Sequence, residues 1–93
     1  MSISIRIPTI LRTYTDGSAT VELENAVTTL QDAIDSLDAT APGIKARLID
    51  DEGKLRRFIN LYINDDDVRF LDGLATVLND GAQISIVPAV AGG

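Results

Sequence analysis

Strict alternation of apolar and polar residues in four short segments is the feature that most restricts the fold. Because successive side chains of a β-strand point to opposite faces of the sheet, each segment predicts a strand with one buried face. The segments are SISIRIP (2–8), ATVEL (19–23), RFINLYIN (57–64) and QISIV (83–87). The inward-facing sets are Ile3, Ile5 and Ile7; Ala19, Val21 and Leu23; Ile59, Leu61 and Ile63; and Ile84 and Ile86.

One helix is predicted between the second and third strands. Thr28 and Gln31 have the T-x-x-Q spacing of a capping box, which places the helix start there, and Pro42-Gly43 ends the helix. Ile44, Leu48 and Ile49 predict a further short helical turn beyond it. The apolar stripe of the main helix consists of Leu30, Ala33, Ile34, Leu37 and Ala41.

The order of these elements predicts the fold. Residues 15–18, 50–54, 64–67 and 79–81 are rich in Asp, Asn and Gly and predict turns, while 68–77 is irregularly spaced. The order is therefore β-β-α-β-irregular-β, in which one helix covers one face of a mixed sheet of four or five strands. This α+β order suits the β-grasp, or ubiquitin-like, architecture. A ferredoxin-like fold needs a second long helix, and no such pattern is visible.

Composition excludes several classes of function. The 93 residues include 14 acidic and 8 basic side chains, a net charge of −6 that disfavours nucleic acid and suits a basic protein surface. No histidine or cysteine is present, so the chain has no imidazole base, thiolate nucleophile or usual zinc ligand set. We expect no catalytic residues, no metal site and no bound cofactor. The absence of a leader pattern or a long apolar run predicts a cytoplasmic protein with no membrane contact.

The chain ends in VPAVAGG, a segment too small and too glycine-rich to pack a core. Pro88 has no amide hydrogen to donate, so strand pairing is expected to end near it. This predicts a domain over 1–88 and a flexible tail over 89–93, formed by Ala89, Val90, Ala91, Gly92 and Gly93. Residues without bulky side chains can thread a narrow channel in a second protein, which would then act on the terminal carboxylate.

Three stretches of the sequence carry a resemblance to a known family. RFINLYINDDDVRF (57–70) and GLATVLNDGAQISIVPAVAGG (73–93), together with the N-terminal SIRIPTILR (4–12), resemble the ThiS/MoaD family of ubiquitin-like sulfur carriers. The resemblance is strongest to the CysO-type branch of cysteine biosynthesis. The terminal Gly-Gly is common to the whole family, whereas the FINLYIN and PAVAGG phrases are more specific.

The resemblance implies a role for the last residue. An E1-like enzyme would adenylate the Gly93 carboxylate with ATP, and sulfur transfer would convert it to a thiocarboxylate. A pyridoxal-phosphate cysteine synthase would use that sulfur against an activated serine, and a zinc metallopeptidase would then release cysteine. ATP and pyridoxal phosphate belong to the partner enzymes in this scheme, so the chain is a cosubstrate.

Three alternatives share the same terminus. The chain could be the small subunit of molybdopterin synthase, a thiazole-forming sulfur carrier, or a ubiquitin-like modifier joined through Gly93 to lysines of other proteins. The identity of the partner separates the first two from cysteine formation. A ladder of conjugates would indicate the third.

Other residues predict partner docking. Phe58, Tyr62 and Val87 lie on the outward faces of their strands and would form an apolar patch beside the tail. The acidic runs 50–52 and 65–67 lack the spacing of a calcium loop and are predicted to be solvated turns, with a second interpretation as a docking surface for the activating enzyme. Arg56, Arg57 and Arg69 are predicted to form weak surface ion pairs.

Overall fold

Five strands form one mixed sheet in the computed structural model, which describes residues 3–23 and 27–88. The sheet order is β2-β1-β5-β3-β4. β1 and β5 run parallel at its centre, and the other three pairings are antiparallel. The strands are β1 (Ile3–Arg6), β2 (Thr20–Leu23), β3 (Ile59–Ile63), β4 (Asp66–Asp67) and β5 (Gln83–Pro88). The β-grasp prediction is confirmed, with five strands and one main helix.

The main helix, α1, spans Leu30–Thr40 and begins one residue later than the sequence pattern indicated. Thr29, not Thr28, is the N-cap: its hydroxyl accepts a bond of 3.3 Å from the Asp32 amide. The Asp32 carboxylate accepts from the Thr29 amide at 3.3 Å in return. The predicted Thr28–Gln31 capping box is therefore wrong. Asp at the third helical position completes the box because a carboxylate accepts the N-cap amide as glutamate does.

The apolar stripe of α1 packs onto the sheet as predicted. All five residues of the stripe are buried, and so are the predicted inward residues of β1, β3 and β5. A short helix, α2 (Ile44–Leu48), follows and buries Ile44 and Leu48. Ala19 is exposed and precedes β2, so its predicted inward position is wrong. The core thus fills the space between α1 and one sheet face, which leaves the other face to solvent or partners.

The connections hold more structure than the sequence pattern predicted. A 3₁₀ helix over Thr9–Thr15 occupies the link between β1 and β2 and buries Leu11. Asn64 and Asp65 form a two-residue turn with φ of 50° and 79°, the geometry of a tight hairpin between strands with right-handed twist. Residues 66 and 67, predicted as part of that turn, pair with β3 as β4. Within 3–23 and 27–88, no helix is long and apolar enough to cross a membrane.

Candidate functional site

The end of β5 is the point from which the C-terminal tail begins. β5 lies in the centre of the sheet, paired with β1 on one side and with β3 on the other, and its last described residue, Pro88, lies opposite Ile59. The pairing with β1 covers Gln83–Ser85, whereas the pairing with β3 continues to Pro88 and so fixes the root of the tail. The predicted site residues Ala89, Val90, Ala91, Gly92 and Gly93 lie outside the described residues, so the flexible tail and the role of Gly93 stay predictions.

The three residues of the predicted apolar patch lie around this strand end. Val87 pairs opposite Asn60, and Phe58 and Tyr62 are two residues to either side of Asn60 along the chain. Diagonal neighbours of this kind are within reach of aromatic side chains. Phe58 is 61% exposed and Val87 42%, while Tyr62 is half-buried. The structure brings the patch residues to the root of the tail, and their role in docking stays a prediction.

Two surface grooves meet at Pro88. The first lies on the β1 side and the second on the β3 side, and each is lined by both apolar and basic side chains. The first groove includes Arg6, Pro8, Thr9, Arg12 and Val87. The second includes Ile10, Arg47, Arg56, Arg57 and Phe58. Ile10 is 66% exposed and was not among the predicted site residues. Ile10 lies in the 3₁₀ helix that follows β1, and the sequence pattern did not predict this helix.

Local structure holds several of these arginines in place. Arg12 Nε donates to the carbonyl of Ile7 at 3.1 Å, across the start of the 3₁₀ helix. Arg69 lies in another 3₁₀ turn and donates to the side-chain oxygen of Asn60 and, at 2.8 Å, to the carbonyl of Ile59. Since Asn60 and Ile59 are the register partners of Val87 and Pro88, Arg69 is placed at the same strand end.

Arg47 is held by an aromatic side chain from a distant part of the sequence. Its Nε donates to Tyr14 Oη at 2.7 Å, and this bond raises the pKa of Arg47. The Tyr14 ring in turn packs over Gly43, the N-cap of α2. Gly43 has φ of 98°, and a Cβ there would lie 3.1 Å from the ring. The glycine thus leaves room for the tyrosine that positions Arg47.

The acidic turns have local structural roles. Asp50 Oδ1 accepts from the amides of Glu52 (2.9 Å) and Lys54 (3.0 Å), and these bonds, the Lys54 amide first, lower the pKa of Asp50. Among the described residues, no group of three or more carboxylates is arranged to hold a metal ion. The Asp65–Asp67 run forms the hairpin turn and β4, at the opposite end of β5 from Pro88.

The predicted ion pairs of Arg56, Arg57 and Arg69 are wrong for the part of the chain that is described. The two ion pairs found there are Lys45–Asp35 and Lys54–Glu52. Arg56 instead donates to the carbonyl of Ala46 at 2.8 Å, and the Arg57 guanidinium lies 5.5 Å from the centre of the Phe58 ring. Proximity to acidic residues in the sequence was a poor guide to ion pairing. Arg56 lines a groove with Asp50 and Asp51 but donates to a carbonyl, and Arg69 lies at the end of β5 away from the acidic hairpin turn.

The five-stranded mixed sheet, its single main helix and the central position of the C-terminal strand define a ubiquitin-like β-grasp protein. Residues 5–93 match the model of the ThiS family. The chain belongs to the ThiS family.

Relatives and solved structures agree with this assignment. The chain is 48% identical to the sulfur carrier protein CysO of Mycobacterium tuberculosis over the full length of both. It is 43% identical to small archaeal modifier protein 3 of Haloferax volcanii over 65 residues, 70% of each chain. Among solved structures, the BexX/CysO complex of Amycolatopsis orientalis contains a chain that is 49% identical, with a TM-score of 0.89 and coverage of 98% and 99% of the two chains. The family and the full-length likeness to CysO make this chain a small sulfur carrier and not a catalyst.

Proposed function

We propose that Gly93 carries the sulfur as a C-terminal thiocarboxylate, and that this sulfur serves cysteine formation. The observation that carries the proposal is the full-length identity of 48% to a sulfur carrier named CysO. The family match extends to residue 93 and so includes the terminal Gly-Gly. The tail of Ala89, Val90 and Ala91, followed by Gly92, would bring the Gly93 carboxylate into the active site of a partner.

The chemistry at Gly93 needs activation before sulfur can be attached. A carboxylate oxygen of Gly93 attacks the α-phosphorus of ATP, and pyrophosphate leaves. A sulfur nucleophile then adds to the acyl carbon, and AMP leaves with its electron pair, so that a C–S bond replaces the C–O bond to the phosphate. An E1-like adenylating enzyme would bind the ATP and catalyse both steps, because the 93 residues offer no imidazole base or thiolate nucleophile for such catalysis.

The thiocarboxylate sulfur would next attack an electrophile that a cysteine synthase forms from an activated serine. The resulting thioester rearranges to an amide between Gly93 and the new cysteine. A zinc metallopeptidase hydrolyses that amide, which releases cysteine and restores the Gly93 carboxylate. Pyridoxal phosphate and zinc act in the partner proteins, and the carrier supplies only the sulfur and its own binding surface.

The folded body supports this role by holding the tail root firmly. β5 is paired with β1 over Gln83–Ser85 and with β3 as far as Pro88, so the pairing with β3 sets the position of Pro88. A tether that begins at a fixed point restricts where its free end can reach, which raises the effective concentration of the carboxylate in a docked partner.

The test of the pathway starts from the thiocarboxylate form of the chain, prepared with the adenylating enzyme of the same organism. Incubation with that organism's cysteine synthase and an activated serine is expected to extend the chain by one cysteine residue, as measured by intact mass. A chain that lacks Gly92 and Gly93 is the control and should gain nothing. Transfer of the sulfur to a molybdopterin precursor or a thiazole, with no cysteine added, would contradict the proposed pathway.

A second candidate is supported by one of the relatives. The 43% identity to small archaeal modifier protein 3 supports a second function, in which the chain is a protein modifier conjugated through Gly93. An immunoblot of cells that produce a tagged chain separates the two functions. A ladder of high-mass conjugates that disappears when Gly93 is deleted supports the modifier, whereas a single band supports the sulfur carrier alone.

A further inference from the structure

The arginines of this acidic chain are gathered at one end of the sheet. The net charge is −6, yet all six arginines lie beside the end of β5, either in the two grooves that meet at Pro88 or on the register partners of Val87 and Pro88. We call this set the arginine rim. It consists of Arg6, Arg12, Arg47, Arg56, Arg57 and Arg69.

No rim arginine forms an ion pair with a carboxylate of the described chain, although Arg56 and Asp50 attract each other. Both ion pairs found among residues 3–23 and 27–88 use lysines, although carboxylates outnumber basic side chains. The hydrogen bonds described above attach the rim to carbonyl, phenol and amide oxygens. Among the described residues, Asp50 is the one carboxylate that lines the two grooves, and its Oδ1 accepts from two backbone amides of its own turn. Arg56 also lines a third groove, which contains Asp38, Asp50 and Asp51. Five rim arginines are exposed and Arg12 is half-buried.

Acidic side chains mark the opposite end of the same strand. The Asn64 amide donates to the carbonyl of Gln83 at 2.9 Å, which places Asp65 and Asp66 beside the first residue of β5. Asp80 lies in the turn that leads into this strand. The six residues of β5 separate the two ends by about 17 Å at a rise of about 3.3 Å per residue. The charge is therefore polarised along the strand that leads into the tail.

We infer that the arginine rim docks onto an acidic protein surface that surrounds the entrance of the partner's active-site channel. The inference rests on the proposed function, because a partner that receives the tail must cover the surface around Pro88. Ile10, Phe58 and Val87 give this surface an exposed apolar centre, and arginines with aromatic and aliphatic neighbours are typical of interfaces. The overall charge alone favours a basic partner; the local charge at the tail root favours an acidic one.

The opposite charges at the two ends of β5 would also orient the chain as it approaches its partner protein. An acidic partner surface attracts the rim and repels the Asp65–Asp66 end, so the chain approaches with its tail toward the channel. The acidic runs at 50–52 and 65–67 then have no need to contact the activating enzyme. Their alternative role as a docking surface becomes less favourable for 65–67, which lie away from the tail.

The test compares three variants that each change the charge by the same amount. Arg6→Glu and Arg57→Glu alter rim residues whose guanidinium groups donate no hydrogen bond within the described chain. Lys54→Glu is the matched control, because Lys54 lies outside the rim and is largely exposed. Thermal unfolding first establishes that all three variants fold.

The assay is ATP–pyrophosphate exchange by the adenylating enzyme of the same organism, measured against the concentration of the carrier chain. Arg6→Glu and Arg57→Glu are each expected to raise the KM for the carrier about tenfold or more at low salt, with kcat little changed at saturation. Lys54→Glu should stay within about twofold of the unaltered chain, because exposed charges outside an interface contribute little. Added salt should raise the KM of the unaltered chain more steeply than that of either rim variant.

Each contrary outcome has a distinct meaning. Rim variants that match Lys54→Glu, while the unaltered chain is adenylated normally, would overturn the inference and leave the proposed function standing. An unaltered chain that is never adenylated would contradict both. Binding of a DNA duplex or of inorganic pyrophosphate to the free chain, lost in the rim variants, would overturn protein docking in favour of a nucleic-acid or small-anion site.

Discussion

Replacement of Gly43 by alanine tests how the fold supports Arg47. Gly43 has φ of 98°, a region that costs a residue with a side chain about 1–3 kcal/mol. The added methyl group would also lie 3.1 Å from Tyr14 Cε1, and overpacking of this kind costs about 1 kcal/mol or more. Gly17 is the matched control, because its φ is 88° and a Cβ added there would meet nothing within 4 Å.

We expect Gly43→Ala to lower the free energy of unfolding by about 2–3 kcal/mol. Gly17→Ala should cost about 1 kcal/mol, from the backbone alone. For a domain of this size, each 1 kcal/mol lowers Tm by roughly 4–8 °C, so the two variants are separable by calorimetry. Chemical denaturation with a constant m value should rank the stabilities of the two variants in the same order.

A double-mutant cycle with Tyr14→Ala isolates the contact with the ring. Removal of the ring should reduce the cost of Gly43→Ala by about 1 kcal/mol, since only the backbone strain then remains. The reasoning is refuted if Gly43→Ala costs no more than Gly17→Ala, or if the cycle shows no coupling between residues 14 and 43.

Three further predictions concern the fold and its pH dependence. Thr29→Ala should lower stability by about 0.5–2 kcal/mol by removing the N-cap of α1, and Thr28→Ala should cost clearly less, which equilibrium unfolding in urea would show. Leu61→Ala, at a fully buried position, should cost about 2–5 kcal/mol in the same assay, while Val87→Ala at an exposed position should cost less than about 1 kcal/mol. The folded-state pKa of Asp50 is lowered, so its carboxylate stabilises the fold above its unfolded pKa and loses that effect as the pH falls below about 4. The Tm difference between the unaltered chain and Asp50→Asn should therefore shrink below that pH, and a difference independent of pH would contradict this.

Local periodicity was sufficient to predict the architecture. The alternation of Ile3, Ile5 and Ile7 and the helical stripe from Leu30 to Ala41 each depend on neighbouring residues, so the sequence shows them directly. The order of these elements then left one main arrangement, the β-grasp. The capping box was misplaced by one residue because Thr28 and Thr29 are both acceptable caps, and Asp32 decides between them.

The arginine rim could not be predicted from local patterns. Arg6, Arg12, Arg47, Arg57 and Arg69 come from five separate segments, and only the sheet order places those segments around Pro88. The first and last strands pair in parallel, although they are far apart in the sequence. Such a pairing produces no periodic pattern in the sequence from which it could be predicted. The patch of Phe58, Tyr62 and Val87 could be predicted because all three lie in sequence segments with visible alternation, although Phe58 falls in the turn just before β3.

The most direct test of the central claim is the mass of the C-terminal peptide after the chain has been incubated with its adenylating enzyme, ATP and sulfide. Proteolysis and tandem mass spectrometry, with a thiol-specific alkylating label, locate the modification and separate it from oxidation of Met1. The account predicts that one oxygen of the Gly93 carboxyl group is replaced by sulfur, and that a chain extended past Gly93 stays unmodified. A C-terminal peptide of unchanged mass, or sulfur on any other residue, would contradict it.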